Sequence, residues 1–91
     1  MLARIARFDQ FPDDLDDDAV STLRQILRST PGYVAGFHML DPTTRKALSI
    51  TVFEDHDALR RAGEALAARP GDRTVGIAPV EVELYEEAHC F

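Results

Sequence analysis

The chain has 91 residues, of which 45% are hydrophobic and 29% charged, and its sixteen acidic and ten basic residues give a net charge of -6. This length and composition predict one globular domain spanning residues 1–91. An acidic chain without a Lys/Arg-rich run is poorly suited to bind a phosphate backbone or an anionic membrane surface, so we expect neither nucleic acid nor membrane as a partner.

Three features favour a cytoplasmic location. No apolar run approaches the length that spans a bilayer. The N-terminal sequence MLARIARF is too short and too charged for a signal peptide. The single cysteine, Cys90, cannot form an internal disulfide, which agrees with a reducing compartment.

The first part of the chain predicts a strand and a helix. Leu2 to Phe8 is a short run with apolar residues on both faces, typical of a strand in a covered sheet. From Asp13 apolar residues recur every three or four positions, which predicts an amphipathic helix that ends at Pro31-Gly32. Its apolar stripe consists of Leu15, Ala19, Leu23, Ile26 and Leu27.

A β-hairpin is predicted in the middle of the chain. Two β-like runs, Tyr33 to Leu40 and Lys46 to Phe53, flank Asp41-Pro42-Thr43-Thr44, which is typical of a turn. Because successive strand residues point to opposite faces, we expect one face of the first run to carry Tyr33, Ala35, Phe37 and Met39. The other face then carries Val34, Gly36, His38 and Leu40.

The last part of the chain predicts a second helix and a final strand. Asp55 or Asp57 can cap the helix, which ends at Arg69-Pro70-Gly71-Asp72. Its apolar stripe is Ala58, Leu59, Ala62, Gly63, Leu66 and Ala67. After Pro79, apolar residues alternate with Glu81, Glu83 and Tyr85, the pattern of a strand.

The order β-α-β-β-α-β predicts an α+β, ferredoxin-like fold, with a four-stranded antiparallel sheet and both helices on one face. In this topology strands one and three are central, and strand four lies beside strand one. Glu81 and Glu83 should then neighbour Arg4 or Arg7, so we predict at least one ion pair between these strands.

The sheet face without helices is predicted to be apolar, since neither face of strand two is polar. An apolar face of this size is unfavourable in water unless something covers it. A second copy packed sheet to sheet would cover it, so we expect a homodimer with two-fold symmetry.

The segment from Pro31 to Leu59 resembles the central part of the antibiotic biosynthesis monooxygenase superfamily, whose members have the dimeric α/β-barrel fold. Typical members read Pro-Gly-Phe-x-Gly before strand two, and strand three ends in Trp before an acidic helix start and Ala-Leu. The corresponding residues here are Pro31, Gly32, Tyr33, Gly36, Phe53, Glu54, Ala58 and Leu59. With the flanking elements, the resemblance covers nearly the whole chain.

The resemblance implies a cofactor-independent monooxygenase that acts on a small aromatic or quinone-like molecule in a pocket between sheet and helices. His38 is the candidate catalytic residue, since an imidazole exchanges a proton near neutral pH. Aromatic walls and hydroxyl donors could come from the candidate substrate-binding residues, Tyr33, Phe37, Ser49, Thr51, Phe53 and Tyr85. Simple packing also explains these residues, so a non-catalytic ligand-binding or structural dimer remains the alternative.

No cofactor or metal is expected. The chain lacks Asn and Trp, which the better-known oxygenases and haem degraders of this superfamily use in the pocket, and Phe53 stands where Trp is customary. Haem is disfavoured because the second helix carries no histidine beyond His56 at its start. The acids around His56 are too closely spaced to converge on a metal, and the run Asp13 to Asp18 lacks the glycine turn of a calcium loop.

Overall fold

The computed structural model describes residues 1–11, 17–68 and 79–91. Its elements are β1 (Leu2–Phe8), α1 (Asp17–Ser29), β2 (Tyr33–Leu40), β3 (Ala47–Phe53), α2 (His56–Ala67) and β4 (Glu81–Tyr85). This order confirms the predicted α+β, ferredoxin-like fold. The predicted helix start at Asp13 and the helix end at Arg69 to Asp72 lie outside the described residues.

The four strands form one antiparallel sheet in the order β2-β3-β1-β4. β1 and β3 are therefore central and β4 lies beside β1, as predicted. The expected ion pair joins β1 to β4, because Arg7 Nε lies 3.0 Å from Glu83 Oε1 and 3.7 Å from Glu81 Oε2. These side chains are largely exposed, so the contact supports the strand order more than it stabilises the sheet.

Cross-strand pairing shows which residues share a face. Leu2 pairs with Phe53, and both pack on Ala58 and Ala62 of α2, so their face is the helix-facing side of the sheet. The same register places further residues on this side: Arg4, Ala6, Phe8, Gly36, His38, Leu40, Ala47, Ser49 and Thr51. The opposite side, called the open face below, carries Ala3, Ile5, Arg7, Phe37, Met39, Leu48, Ile50, Val52, Glu81, Glu83 and Tyr85.

The strict alternation expected for β2 is wrong at its start. The register with β3 shifts between Tyr33 and Ala35, so Tyr33 pairs with Phe53 while Ala35 pairs with the next residue, Val52. An extra residue in one strand of an antiparallel pair is a β-bulge, and it reverses the side to which the preceding residue points. Tyr33 therefore lies on the helix-facing side, away from Phe37.

The turn between α1 and β2 approaches α2 closely. Gly32 adopts a φ of +88°, and a Cβ built on it would lie 2.5 Å from Cβ of Ala58. Both the backbone conformation and this contact favour glycine here. Of the two predicted caps, Asp55 starts α2, since its Oδ1 accepts a 2.8 Å hydrogen bond from the Ala58 amide.

Neither helix, over the residues described, is long and apolar enough to cross a bilayer.

Candidate functional site

The predicted site residues separate onto the two faces of the sheet. His38, Ser49, Thr51 and Phe53 share the helix-facing side, and the bulge brings Tyr33 to the same side. Phe37 and Tyr85 lie on the open face, with 59% and 49% of their surface exposed. The fold therefore groups His38 with hydroxyl-bearing side chains and places the other two aromatic residues on the far side of the sheet.

His38 pairs directly with Ser49 across β2 and β3. Its Nδ1 lies 2.8 Å from Ser49 Oγ, a hydrogen bond that either atom can donate, depending on the tautomer. When Nδ1 carries the proton, it donates this hydrogen bond to Ser49 Oγ, and Nε2 has a free lone pair. In that tautomer Nε2 is the atom able to accept a proton from another molecule.

Phe11 covers one side of the His38 ring, although His38 as a whole remains exposed. The two ring centroids are 4.8 Å apart and tilted by 43°, and the Phe11 ring also meets Phe8 edge-on at 5.7 Å. Phe11 itself is only 8% exposed. Sequence reasoning missed it because a single aromatic residue beyond the end of β1 belongs to no periodic pattern.

The surroundings of His38 favour its neutral form. Partial burial of this imidazole, whose residue as a whole stays exposed, lowers its pKa below the ordinary value of 6.5, and the positive charge of Arg24 in α1 lowers it further. At neutral pH the ring is therefore mostly unprotonated, the state required of a general base. Sequence reasoning missed Arg24, because its relation to His38 depends on how α1 packs across the sheet.

The end of β3 is part of the hydrophobic core. Phe53 is 2% exposed and meets Tyr33 edge-on, with ring centroids 6.0 Å apart. The Tyr33 hydroxyl extends over Gly36, where a built Cβ would lie 2.5 Å from the hydroxyl oxygen. Tyr33 can thus place a hydroxyl on the helix-facing side, at the Gly36–Thr51 pair, which lies two register positions from the His38–Ser49 pair.

On the open face, Tyr85 belongs to a small polar network. Its hydroxyl donates a 2.6 Å hydrogen bond to Glu83 Oε2, whose other oxygen accepts from Arg7 Nε at 3.0 Å. The hydrogen bond from Tyr85, together with Arg7, lowers the pKa of Glu83, and the same bond raises the pKa of Tyr85. The network is exposed and lies across the sheet from His38.

The surface among the described residues has shallow concavities, and His38 does not line the two that follow. One lies where the sheet meets the hairpin turn, beside Met39, Asp41 and Lys46. The other lies between α1 and α2, beside Ile26 and Arg61. Within residues 1–11, 17–68 and 79–91, no three His, Cys, Asp or Glu side chains are grouped so that they could hold a metal ion.

Neither a protein-family model nor a curated protein matches the sequence. Solved structures do match the fold. SnoaB, a cofactor-independent oxygenase from Streptomyces nogalater, superposes with a TM-score of 0.70 at 21% identity, over 98% of this chain and 94% of that chain. MupZ from Pseudomonas fluorescens superposes with a TM-score of 0.69 at 10% identity, over 99% of this chain and 92% of that chain.

A third structure carries the superfamily name. An antibiotic biosynthesis monooxygenase-like protein from Chloroflexus aurantiacus superposes with a TM-score of 0.62 at 17% identity, covering 99% of this chain and 95% of that one. These likenesses extend over nearly the whole chain, and at such identities they establish the fold. The resemblance first noted between Pro31 and Leu59 is thereby confirmed at the level of the fold.

Proposed function

We propose that this protein binds a small aromatic or quinone-like molecule between the sheet and the helices, and oxygenates it without a cofactor. The observation that carries the proposal is the hydrogen bond between the His38 imidazole and Ser49 on the helix-facing side, where partial burial and Arg24 lower the pKa of His38. The fold shared with SnoaB, a cofactor-independent oxygenase, supports it. Because one fold hosts many functions, the chemistry rests on the site and the fold adds only a precedent.

In the proposed reaction, Nε2 of His38 removes a proton from an acidic C–H or O–H group of an electron-rich aromatic substrate. The resulting anion supplies electrons to molecular oxygen directly. Overall, an activated CH₂ group and O₂ give a carbonyl group and water, so atoms and electrons balance without an external reductant. The positive charge of Arg24, which acts on His38, would also favour the substrate anion.

Tyr33 is the proposed hydrogen-bond donor to the substrate. Phe53 cannot replace the customary Trp in this role, because its ring has no N–H group and is 2% exposed within the core. The Tyr33 hydroxyl, which extends over Gly36, is a donor on the same side of the sheet as His38. Thr51, which pairs with Gly36, adds a second hydroxyl-bearing side chain on that side.

Turnover assays with anthrone-type and quinol-type compounds test the proposal, with oxygen consumption and quinone absorbance as readouts. We expect His38→Gln to lower kcat by roughly 10²-fold or more, the usual contribution of a general base. His56→Gln is the matched control, since His56 lies at the start of α2 and contacts Glu86 at 3.3 Å. Full turnover by His38→Gln would refute the role given to His38.

The alternative is a module that binds a ligand without transforming it. It is favoured by the positions of Phe37 and Tyr85, which lie on the open face and away from the other predicted substrate-binding residues. In this case the aromatic compounds would bind, but neither the wild-type protein nor His38→Gln would consume oxygen. Titration calorimetry alongside the oxygen measurement separates the two functions.

We also propose that two copies associate through their open faces. Phe37, Met39 and Tyr85 are each about half exposed there, and Ile5, Leu48 and Ile50 between them are only partly covered. Contact with the same surface of a second copy would remove this apolar area from water. The helix-facing side, with His38, would stay outside that contact, so each subunit would keep its own site.

A further inference from the structure

Arg45, in the turn between β2 and β3, fixes the position of Phe11. Arg45, 34 residues away in sequence, donates to the Phe11 carbonyl oxygen through Nε at 3.0 Å and through an Nη atom at 2.8 Å. The Phe11 amide in turn donates to the Arg45 carbonyl oxygen at 2.9 Å. Both backbone polar groups of Phe11 are therefore bonded to one residue.

Arg45 is held in an unusual backbone conformation. Its φ is +60°, the left-handed region that residues with a Cβ seldom adopt. The turn stabilises this conformation, because the Arg45 amide donates to the Asp41 carbonyl oxygen at 2.9 Å. Asp41 Oδ1 also accepts from the Thr43 amide at 2.9 Å. Strained backbone that is held by specific contacts is common at functional sites.

The ring of Phe11 carries this constraint to His38. Arg45 fixes the Phe11 backbone, and the Phe11 ring centroid lies 4.8 Å from the centroid of the His38 imidazole. Phe11 itself is buried. Ser49 holds Nδ1 of the same imidazole at 2.8 Å. The imidazole is thus held by a hydrogen bond at one atom and by an aromatic surface on one side.

We infer that Arg45 and Phe11 are positioning residues, a clamp that orients the His38 imidazole against Ser49 and excludes water from one side of it. The catalytic meaning of the clamp rests on the proposed function of His38. The effect of the clamp on the imidazole does not depend on that function and can be measured directly. Arg24 of α1, whose charge lowers the pKa of His38, is left unchanged in every variant below.

The test is an NMR titration of the His38 imidazole in Phe11→Ala and Arg45→Asn, without substrate. Asn tolerates the left-handed backbone, so Arg45→Asn removes the guanidinium while it preserves the turn. We expect the pKa of His38 to rise toward 6.5 in both variants because water then reaches the ring, and to rise less in Arg45→Asn. Arg45→Lys, which keeps a single donor nitrogen, should recover part of the wild-type value.

Arg60→Asn is the matched control, since Arg60 lies on the outer side of α2 and pairs with Glu64 at 2.8 Å. If Phe11→Ala does not fold, Phe11→Leu serves in its place, because it keeps most of the volume and removes the ring. The imidazole proton signals should then lose the ring-current shift that Phe11 causes. An unchanged His38 pKa in folded Arg45→Asn, or unchanged imidazole signals in Phe11→Leu, would overturn the clamp.

The clamp and the proposed function fail in different ways. If His38→Gln retained full turnover, the catalytic role would be lost while the NMR result on the clamp would stand. If the clamp variants left the imidazole unchanged while His38→Gln abolished turnover, the clamp would be refuted and the catalytic role of His38 would stand. Where turnover is observed, the acid limb of the pH profile should move to higher pH in Phe11→Leu.

Discussion

His38 illustrates how much of a residue's chemistry comes from its neighbours. The sequence identified the imidazole as a candidate from its residue type, and its position on β2 predicted that it shares a face with Gly36 and Leu40. The pairing with Ser49 and the contact with Phe11 set its hydrogen bond and its exposure. Arg24, on another element, adds the charge that acts on it.

Substitution of Arg24 tests this electrostatic effect at the level of one residue. Its positive charge disfavours a second positive charge on His38, so Arg24→Gln should raise the pKa of His38. The rise should be partial, because burial is the larger cause and remains in place. NMR titration of the imidazole measures it, with Arg28→Gln on the same helix as control, and a lower or unchanged pKa would contradict it.

The lowered pKa also sets the sign of a pH effect on stability. Between the folded pKa of His38 and 6.5, the unfolded chain binds more protons than the folded chain. The free energy of unfolding therefore rises with pH across this range, and the contribution of His38 is fully present above 6.5 and lost as the pH falls through the folded pKa.

At the scale of elements, local chemistry accounts for most boundaries. β1 and β2 have the predicted bounds, and β3 begins one residue later than expected, at Ala47. The choice between Asp55 and Asp57 as the α2 cap required the structure, because both precede the same apolar stripe. The bulge at the start of β2 was also not predictable, since it is a property of pairing between two strands.

Asp55→Ala should destabilise the protein by removing the α2 cap. The lost hydrogen bond to the Ala58 amide is worth about 1 kcal/mol, which lowers the Tm of a domain of this size by roughly 4–8 °C. Thermal unfolding followed by circular dichroism measures the change. Asp55→Asn is the control, because it keeps the acceptor and removes the charge; an equal loss in both variants would mean that charge matters more than the cap.

At the scale of the whole molecule, the two sheet faces have different roles. The helix-facing side buries the core around Leu2 and Phe53 and carries the candidate site. The open face leaves Phe37, Met39 and Tyr85 about half exposed. Composition indicated an apolar second face, and the topology decided which side chains form it.

Substitution of Phe37 tests the proposed dimer. Light scattering coupled to size-exclusion chromatography should find a wild-type dimer at micromolar concentration and a monomer for Phe37→Lys, because the new charge would be buried against a second copy. Phe37 is 59% exposed, so the subunit itself should stay folded. Gln25→Lys adds the same charge on an exposed position of α1 and should stay dimeric; a wild-type monomer would exclude the dimer.

The sequence by itself determined the order of the elements, the strand neighbours and an ion pair of Glu81 or Glu83 with one of the two β1 arginines, Arg4 or Arg7; the structure shows that this arginine is Arg7. Periodicity, turn residues and caps act within a few residues, so they can be recognised without coordinates. The segment Pro31 to Leu59 likewise pointed to the correct fold, because its glycine and turn positions are requirements of that backbone.

Only the tertiary structure decided which residues surround His38. Phe11, Arg24 and Arg45 lie on three other parts of the chain, and their contacts depend on strand register and helix packing. A one-residue shift changes the face to which a side chain points, as Tyr33 shows. The candidate site is therefore a product of long-range pairing, which no local pattern in the sequence encodes.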